Sequence, residues 1–387
     1  MEPELNPYRP GAGLLPPELA GREEHLNHFE QLIIRAKHRT IDRALIISGL
    51  RGVGKTALMT RFSQMADQHR WIYITTEGQA NDTAAHEVRR RLGAEIQAAL
   101  VRFSLKARLD DALRHLSALA GQFSLSLGPV TIESKPAATG LLDLDVETLT
   151  LAIAKEAQVR EAAFAIFVDE LQDLDHDMLT ALLVAQHKAQ QQNLPFYLIG
   201  AGLPSLPAIL TNAKSYAERL FRYSTVGPLN EQHATEALTV PAEKVGCSYS
   251  PDALATILTA SGGYPYFLQE YGKAIWDFAD EKTFTDLDAL AAVEIGREQL
   301  DSGFFPSRWL RASDREREYM TTMSVVGAGK PASTTAIAKD MSAAPSKLSP
   351  IRQSLIAKGL IYAPERGFVD FSVPGMADYI DRAWIGD

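Results

Sequence analysis

The chain has 387 residues, 46% of them apolar and 22% charged, which predicts a soluble globular protein of two or three domains and excludes a fibre or a disordered chain. Lys and Arg number 39 against 48 Asp and Glu, a formal charge of −9, so no bulk positive field draws the whole molecule to nucleic acid or anionic lipid. The lone Cys247 excludes an intrachain disulfide, no Cys/His cluster has zinc spacing, and no apolar run approaches the ~20 residues that span a bilayer. With an acidic, Pro-bearing start these features predict a cytoplasmic protein without membrane contact.

Residues 1–20 are rich in Pro and Gly and read as extended chain on a surface. A helical pattern opens at Gly21-Arg22-Glu23-Glu24, with Leu26, Phe29, Leu32 and Ile33 mostly three and four apart. Ala44 to Ser48 is a short apolar run ended by glycine, as expected of a strand covered on both faces. A helix from Lys55 and a strand over Trp71–Thr75 follow. Helix is predicted between Asn81 and Leu119, a Ser/Pro/Gly-rich insertion at about 121–142, and helix again from Val146 to Gln158. Buried strands are read at Ala163–Val168 and Phe196–Ile199. Strands alternating with helices predict a mainly parallel sheet with helices on both faces. From Asn230 to Ala292 the pattern is helical, with no strand. Beyond it, helices are predicted at Asp314–Val325, around Ile337 and Ala338, and around Leu348 to Ile356, followed by two short strands, Gly359–Tyr362 and Phe368–Phe371.

Two motifs carry chemistry. Gly49-Leu50-Arg51-Gly52-Val53-Gly54-Lys55-Thr56, with Ala57 after it, fits G-x-x-x-x-G-K-[ST] between a strand and a helix. Glycines let backbone N–H groups curl round phosphates, and the helix N-terminus adds partial positive charge. Lys55 is expected to reach the β- and γ-phosphates and the Thr56 hydroxyl to ligate Mg²⁺. The acidic pair Asp169-Glu170 ends a buried strand. Asp169 is expected to hold the metal with Thr56, and Glu170 to orient and deprotonate an attacking water. ATP and Mg²⁺ are the implied ligands.

Gly21-Arg22-Glu23-Glu24, the phosphate loop and the Asp-Glu strand end together resemble an AAA+ ATPase, more narrowly the origin-recognition-like and STAND proteins. The resemblance implies an AAA+ P-loop domain over 21–229, a helical lid over 230–305 and a winged helix-turn-helix over 306–387. It implies an arginine finger or related residue at Arg219, although Arg219 also reads as a surface partner of Glu218. Arg22 reads either as a nucleotide contact or as a salt bridge within its helix. Gly262-Gly263-Tyr264-Pro265 resembles the G-x-P element of STAND proteins, which implies that Tyr264 and Pro265 lie at the nucleotide. Two departures accompany it. The end of the fourth strand, Ile199-Gly200-Ala201-Gly202, lacks the polar residue the family carries there, and the helix after Pro265 lacks an arginine, leaving Lys273. Both suit a slow nucleotide switch rather than a motor.

In the last segment Leu355-Ile356-Ala357-Lys358-Gly359-Leu360-Ile361-Tyr362 resembles the junction of third helix and wing. Lys347, Arg352, Lys358 and Arg366 give a local basic surplus where duplex DNA would bind. The charge is mild, and docking of a protein stays open. Two functions therefore stand: a DNA-associated Mg-ATP switch, or an ATP-driven homo-oligomerising scaffold whose winged helix recruits a protein.

Overall fold

The computed structural model describes residues 1–11, 13–79, 85–107 and 142–385; the insertion expected at about 121–142 falls, up to Leu141, outside the described residues. The chain divides into two compact units. One comprises Arg22–Gly49 with Lys55–Val226, the other Met1–Gly21, Leu50–Gly54 and Gly227–Asp387.

The first unit is an α/β layer structure. Its five strands are β1 (Ala44–Ser48), β2 (Ile72–Glu77), β3 (Phe164–Asp169), β4 (Phe196–Gly202) and β5 (Phe221–Thr225), in the order β2-β3-β4-β1-β5. All neighbours are parallel, so each connection must cross back over a face, and helices do this. Every residue of β1 and β4 is buried, which is why both read as unbroken apolar runs. Ser48 lies opposite Gly202 on one side and Thr225 on the other, while Asp169 lies opposite Glu77. The loops after β1 and β4 therefore leave the same edge of the sheet side by side, the carboxyl edge where open parallel sheets take ligands.

Helix ends are fixed by local chemistry. Glu23–Lys37 carries Glu23 and Glu24 in its first turn and Arg35 and Lys37 in its last, each complementing the helix dipole. His176–Gln191 begins at Asp175, whose side chain accepts from the N–H groups of Asp177 and Met178. An aromatic chain ties the first two helices to one face of the sheet: Phe29 stacks on Phe62 at 4.6 Å and meets Trp71 at 5.6 Å, and Trp71 stacks on Tyr197 at 5.4 Å.

The second unit contains the helices Glu231–Glu243, Pro251–Ser261, Pro265–Phe278 and Asp286–Gln299. Asn230, Ser250 and Thr285 cap three of them with side-chain oxygens. Sequence reading expected no strand here. The structure has two, β6 (Ser248–Tyr249) and β7 (Thr283–Phe284), paired in parallel; two residues are too few to show a period. The Pro-rich first segment lies along these helices. The Tyr8 ring covers Gly272, where a Cβ would stand 2.6 Å from it, and the Tyr8 hydroxyl donates to the Leu238 carbonyl at 2.6 Å. Trp276 Nε1 donates to the Glu2 carbonyl at 3.0 Å.

The same unit continues into the helices Asp314–Gly327, Thr334–Asp340 and Pro345–Ala357. The strands β8 (Ala332–Ser333), β9 (Ile361–Tyr362) and β10 (Phe368–Phe371) form an antiparallel sheet in the order β8-β10-β9. The expected pair of short strands thus gains a third, β8, only two residues long. Among the described residues no helix is long and apolar enough to cross a membrane.

Because Phe29 is fully buried against Phe62 and Trp71, replacing it with alanine should cost about 3–5 kcal/mol, read as a lower denaturation midpoint in urea.

Candidate nucleotide-binding site

The site is built where β1 ends. The Ser48 carbonyl accepts from Val226 N at 2.8 Å, and Gly49 N donates to the Gly202 carbonyl at 3.1 Å, so sheet hydrogen bonding reaches the first glycine of the motif. Lys55 opens the following helix. Its side chain is 6% exposed, and Nζ donates to the Gly49 carbonyl at 3.1 Å. Thr56 Oγ1 donates to Asp169 Oδ2 at 2.6 Å. The glycine motif is thus joined to Asp169, 113 positions on from Thr56, with buried Ala57 next on the helix.

The paired hydroxyl and carboxylate fit Mg²⁺, a hard cation that takes one or two protein oxygens and completes its shell with water and phosphate. Among the described residues no group of three or more His, Cys, Asp or Glu is placed to hold a metal, and a Mg²⁺–nucleotide site requires none.

Glu170 follows at the strand end with φ 45°, in the left-handed region, where a residue other than glycine costs about 1–3 kcal/mol. Its N–H donates to Asp169 Oδ1 at 2.9 Å. Gly78 makes room for the turn, since a Cβ there would lie 2.4 Å from the Glu170 carbonyl oxygen. Sequence reading missed Gln172. Its Nε2 donates to Glu170 Oε2 at 2.6 Å, and its Oε1 accepts from Leu203 N at 3.1 Å. The signal was present in Gly200 and Gly202, read as a missing polar residue. A Cβ on Gly202 would stand 2.2 Å from Gln172 Oε1, and one on Gly200 2.4 Å from Leu171 Cδ2.

Arg22 is buried at the start of the first helix, and burial pulls its guanidinium pKa down. Arg219 is exposed on the one-turn helix Ala217–Leu220 just before β5.

In the other unit, Gly52 and Gly54 hold φ of +83° and +93°, conformations in which a Cβ is strained. Gly52 lies under a ring: a Cβ there would be 2.7 Å from Tyr264 Cε1. Tyr264 is fully buried, burial pushes its hydroxyl pKa up, and the hydroxyl donates to the Ser372 carbonyl at 3.5 Å. It precedes Pro265, the first residue of its helix. In Gly262-Gly263-Tyr264-Pro265 it is therefore the tyrosine that meets the loop Leu50–Gly54. Val53 in that loop is also fully buried. Arg308 rests on Phe304, its guanidinium carbon 3.6 Å from the ring centroid; burial and the charge of Arg51 pull its pKa down to about 10. Lys273 pairs with Asp277.

The basic residues of the last segment separate into two groups. Lys347 and Arg366 are exposed and Arg352 is half-buried. Lys358 leaves the predicted DNA-facing set. Its Nζ donates to buried Glu316 Oε2 at 2.6 Å and to the Arg311 carbonyl at 3.1 Å. Burial pushes Glu316 up, but hydrogen bonds from Lys358, Ser354 and Ser313 outweigh it and hold the carboxyl at about 2.

A glycine loop between a buried strand and a helix, with Lys-Thr at the helix start and an acid at the end of β3, defines a P-loop nucleotide-binding protein. Residues 18–199 match the AAA ATPase domain, in keeping with the P-loop fold and the nucleotide site described above. Residues 302–380 match a domain of unknown function, DUF8462. No curated protein matches the chain. Among solved structures it is similar to the Walker-type ATPase PABY2304 of Pyrococcus abyssi, with 16% identity over 97% of this chain and 99% of that one and a TM-score of 0.63, a likeness of fold. Lower similarity links it to the Thermotoga maritima RuvB Holliday junction branch migration motor, with 15% identity, 94% and 95% coverage and a TM-score of 0.46. The Aeropyrum pernix Orc1 protein in complex with DNA matches with 14% identity, 95% and 93% coverage and a TM-score of 0.44.

Glu316 is held below the ordinary carboxylate range only in the folded chain, so its stabilising contribution is complete above that range and is lost as pH falls towards 2. Glu316→Gln should lower the melting temperature at pH 7, and the gap to the unaltered protein should close on acidification between about pH 4.5 and pH 2, read by thermal melts across pH.

Proposed function

We propose that the protein is a Mg-ATP-dependent AAA+ ATPase acting as a slow nucleotide switch, associated with duplex DNA through its C-terminal segment. The observation that carries the nucleotide part is the Thr56–Asp169 hydrogen bond of 2.6 Å beside the buried Lys55. It gathers a phosphate-binding cation and a metal-binding oxygen pair at one edge of a parallel sheet. When bound, Mg²⁺ would neutralise charge developing on the transferred phosphoryl group. Lys55 binds the terminal phosphates, Thr56 and Asp169 hold the metal, and Glu170 takes a proton from the attacking water. Arg22, Tyr264 and Pro265 are assigned to nucleotide contact. Exposed Arg219 is assigned to a neighbouring subunit's nucleotide, as in arginine fingers that enter from outside.

The DNA part is supported by the C-terminal order of helix, strand, two helices and hairpin, the arrangement of a winged helix. Lys347 stands exposed on the third helix and Arg366 between β9 and β10, where a recognition helix and wing carry their phosphate contacts. Arg352 completes the set.

Lys55→Ala should abolish binding of a fluorescent ADP analogue. Glu170→Gln should retain that binding while slowing ATP hydrolysis by about 10²–10⁴-fold; unchanged turnover would remove Glu170 from the base role. Exchanging Lys347 and Arg352 together for Glu should weaken duplex binding and flatten its dependence on salt, since each lost phosphate contact removes about 0.9 from the slope of log K against log salt. A filter-binding assay at low salt checks this. No binding by the unaltered protein there, together with ATP-dependent assembly in sizing experiments, would turn the reading towards the protein-recruiting scaffold.

A further inference from the structure

We propose that Gln172 is the positioning residue for Glu170, supplying from the loop after β3 the polar group that the end of β4 lacks. The inference rests on the reading of Glu170 as the base. The Gln172 amide is pinned at both ends. Leu203 N–H can only donate, so the atom facing it at 3.1 Å is Oε1. That turns Nε2 onto carboxylates, Glu170 Oε2 at 2.6 Å and Asp173 Oδ2 at 3.3 Å. Which end of the amide is nitrogen thus follows from its neighbours' chemistry.

The seat is shaped for it. A Cβ on Gly202 would press to 2.2 Å of Oε1, and Gly200 is covered by Leu171. A Cβ at position 202 and Gln172 in this place exclude each other, which is the physical reason for glycine at the last position of β4. Glu170 itself stands on a left-handed backbone. A short charge-assisted bond from an amide fixed to β4 therefore sets where its carboxylate lies relative to the strand that borders β1.

Gln172→Glu keeps size, shape and the acceptor for Leu203 N while removing the donor to Glu170. Gly202→Ala reaches the same amide from another element. Single-turnover ATP hydrolysis and binding of a fluorescent ADP analogue are measured for both, alone and combined with Glu170→Gln. The expected result is a rate about 10–100-fold lower in each single variant, with ADP affinity unchanged and no further loss on the Glu170→Gln background, because the effect runs through Glu170. ADP binding reports folding, and if one variant fails to bind, the other decides. Wild-type rates in the variants, faster hydrolysis, or a further loss on the Glu170→Gln background would overturn the inference and leave Glu170 as the base. Equal hydrolysis by the unaltered protein and Glu170→Gln would instead remove the underlying reading, and Gln172's role with it.

Discussion

One hydrogen bond organises the α/β unit for function: Thr56 Oγ1 to Asp169 Oδ2, between residues 113 positions apart. It can form only if the helix after β1 starts level with the end of β3, and that level is set by parallel register. Asp169 pairs with Glu77 across to β2, while the other side of β3 pairs with β4, whose Gly202 lies opposite Ser48. A one-residue slip in any of these ladders would turn the strand's side chains to the other face and separate hydroxyl from carboxylate. The fully buried strands resist such a slip, because it would exchange every core side chain at once. The chemistry at the sheet edge is thus specified by apolar packing some distance from it.

The backbone at the strand end is strained for a purpose visible in its neighbours. Glu170 is left-handed, Gly78 clears space for its carbonyl, and Gly202 clears space for the amide that holds its side chain. Two glycines on other elements make room for this one residue and its partner. Strain of this kind persists where surrounding contacts over-determine it.

Much of this was legible in the sequence. Apolar runs ended by glycine or acid located four strands, and the Gly-x-x-x-x-Gly-Lys-Thr spacing named the loop, because both signals are local. What escaped was non-local. Gly200 and Gly202 announced a missing side chain, yet nothing in their neighbourhood says that Gln172 fills the place from 30 positions earlier. Lys358 carried the same charge as Lys347, and only the fold reveals Glu316 beneath it. The strands Ser248–Tyr249 and Thr283–Phe284 are two residues each, below the length at which alternation exists. Tyr264 was identified through a resemblance centred on proline; its ring against Gly52 is a tertiary fact.

The segment before the first helix carries a further implication. Asn6 bonds across 267 positions to the Lys273 carbonyl, and Tyr8 across 230 to that of Leu238. During synthesis the opening residues leave the ribosome long before the helices that receive them exist. Until those helices form, Asn6 and Tyr8 have no seat, so their docking follows the folding of the helical unit.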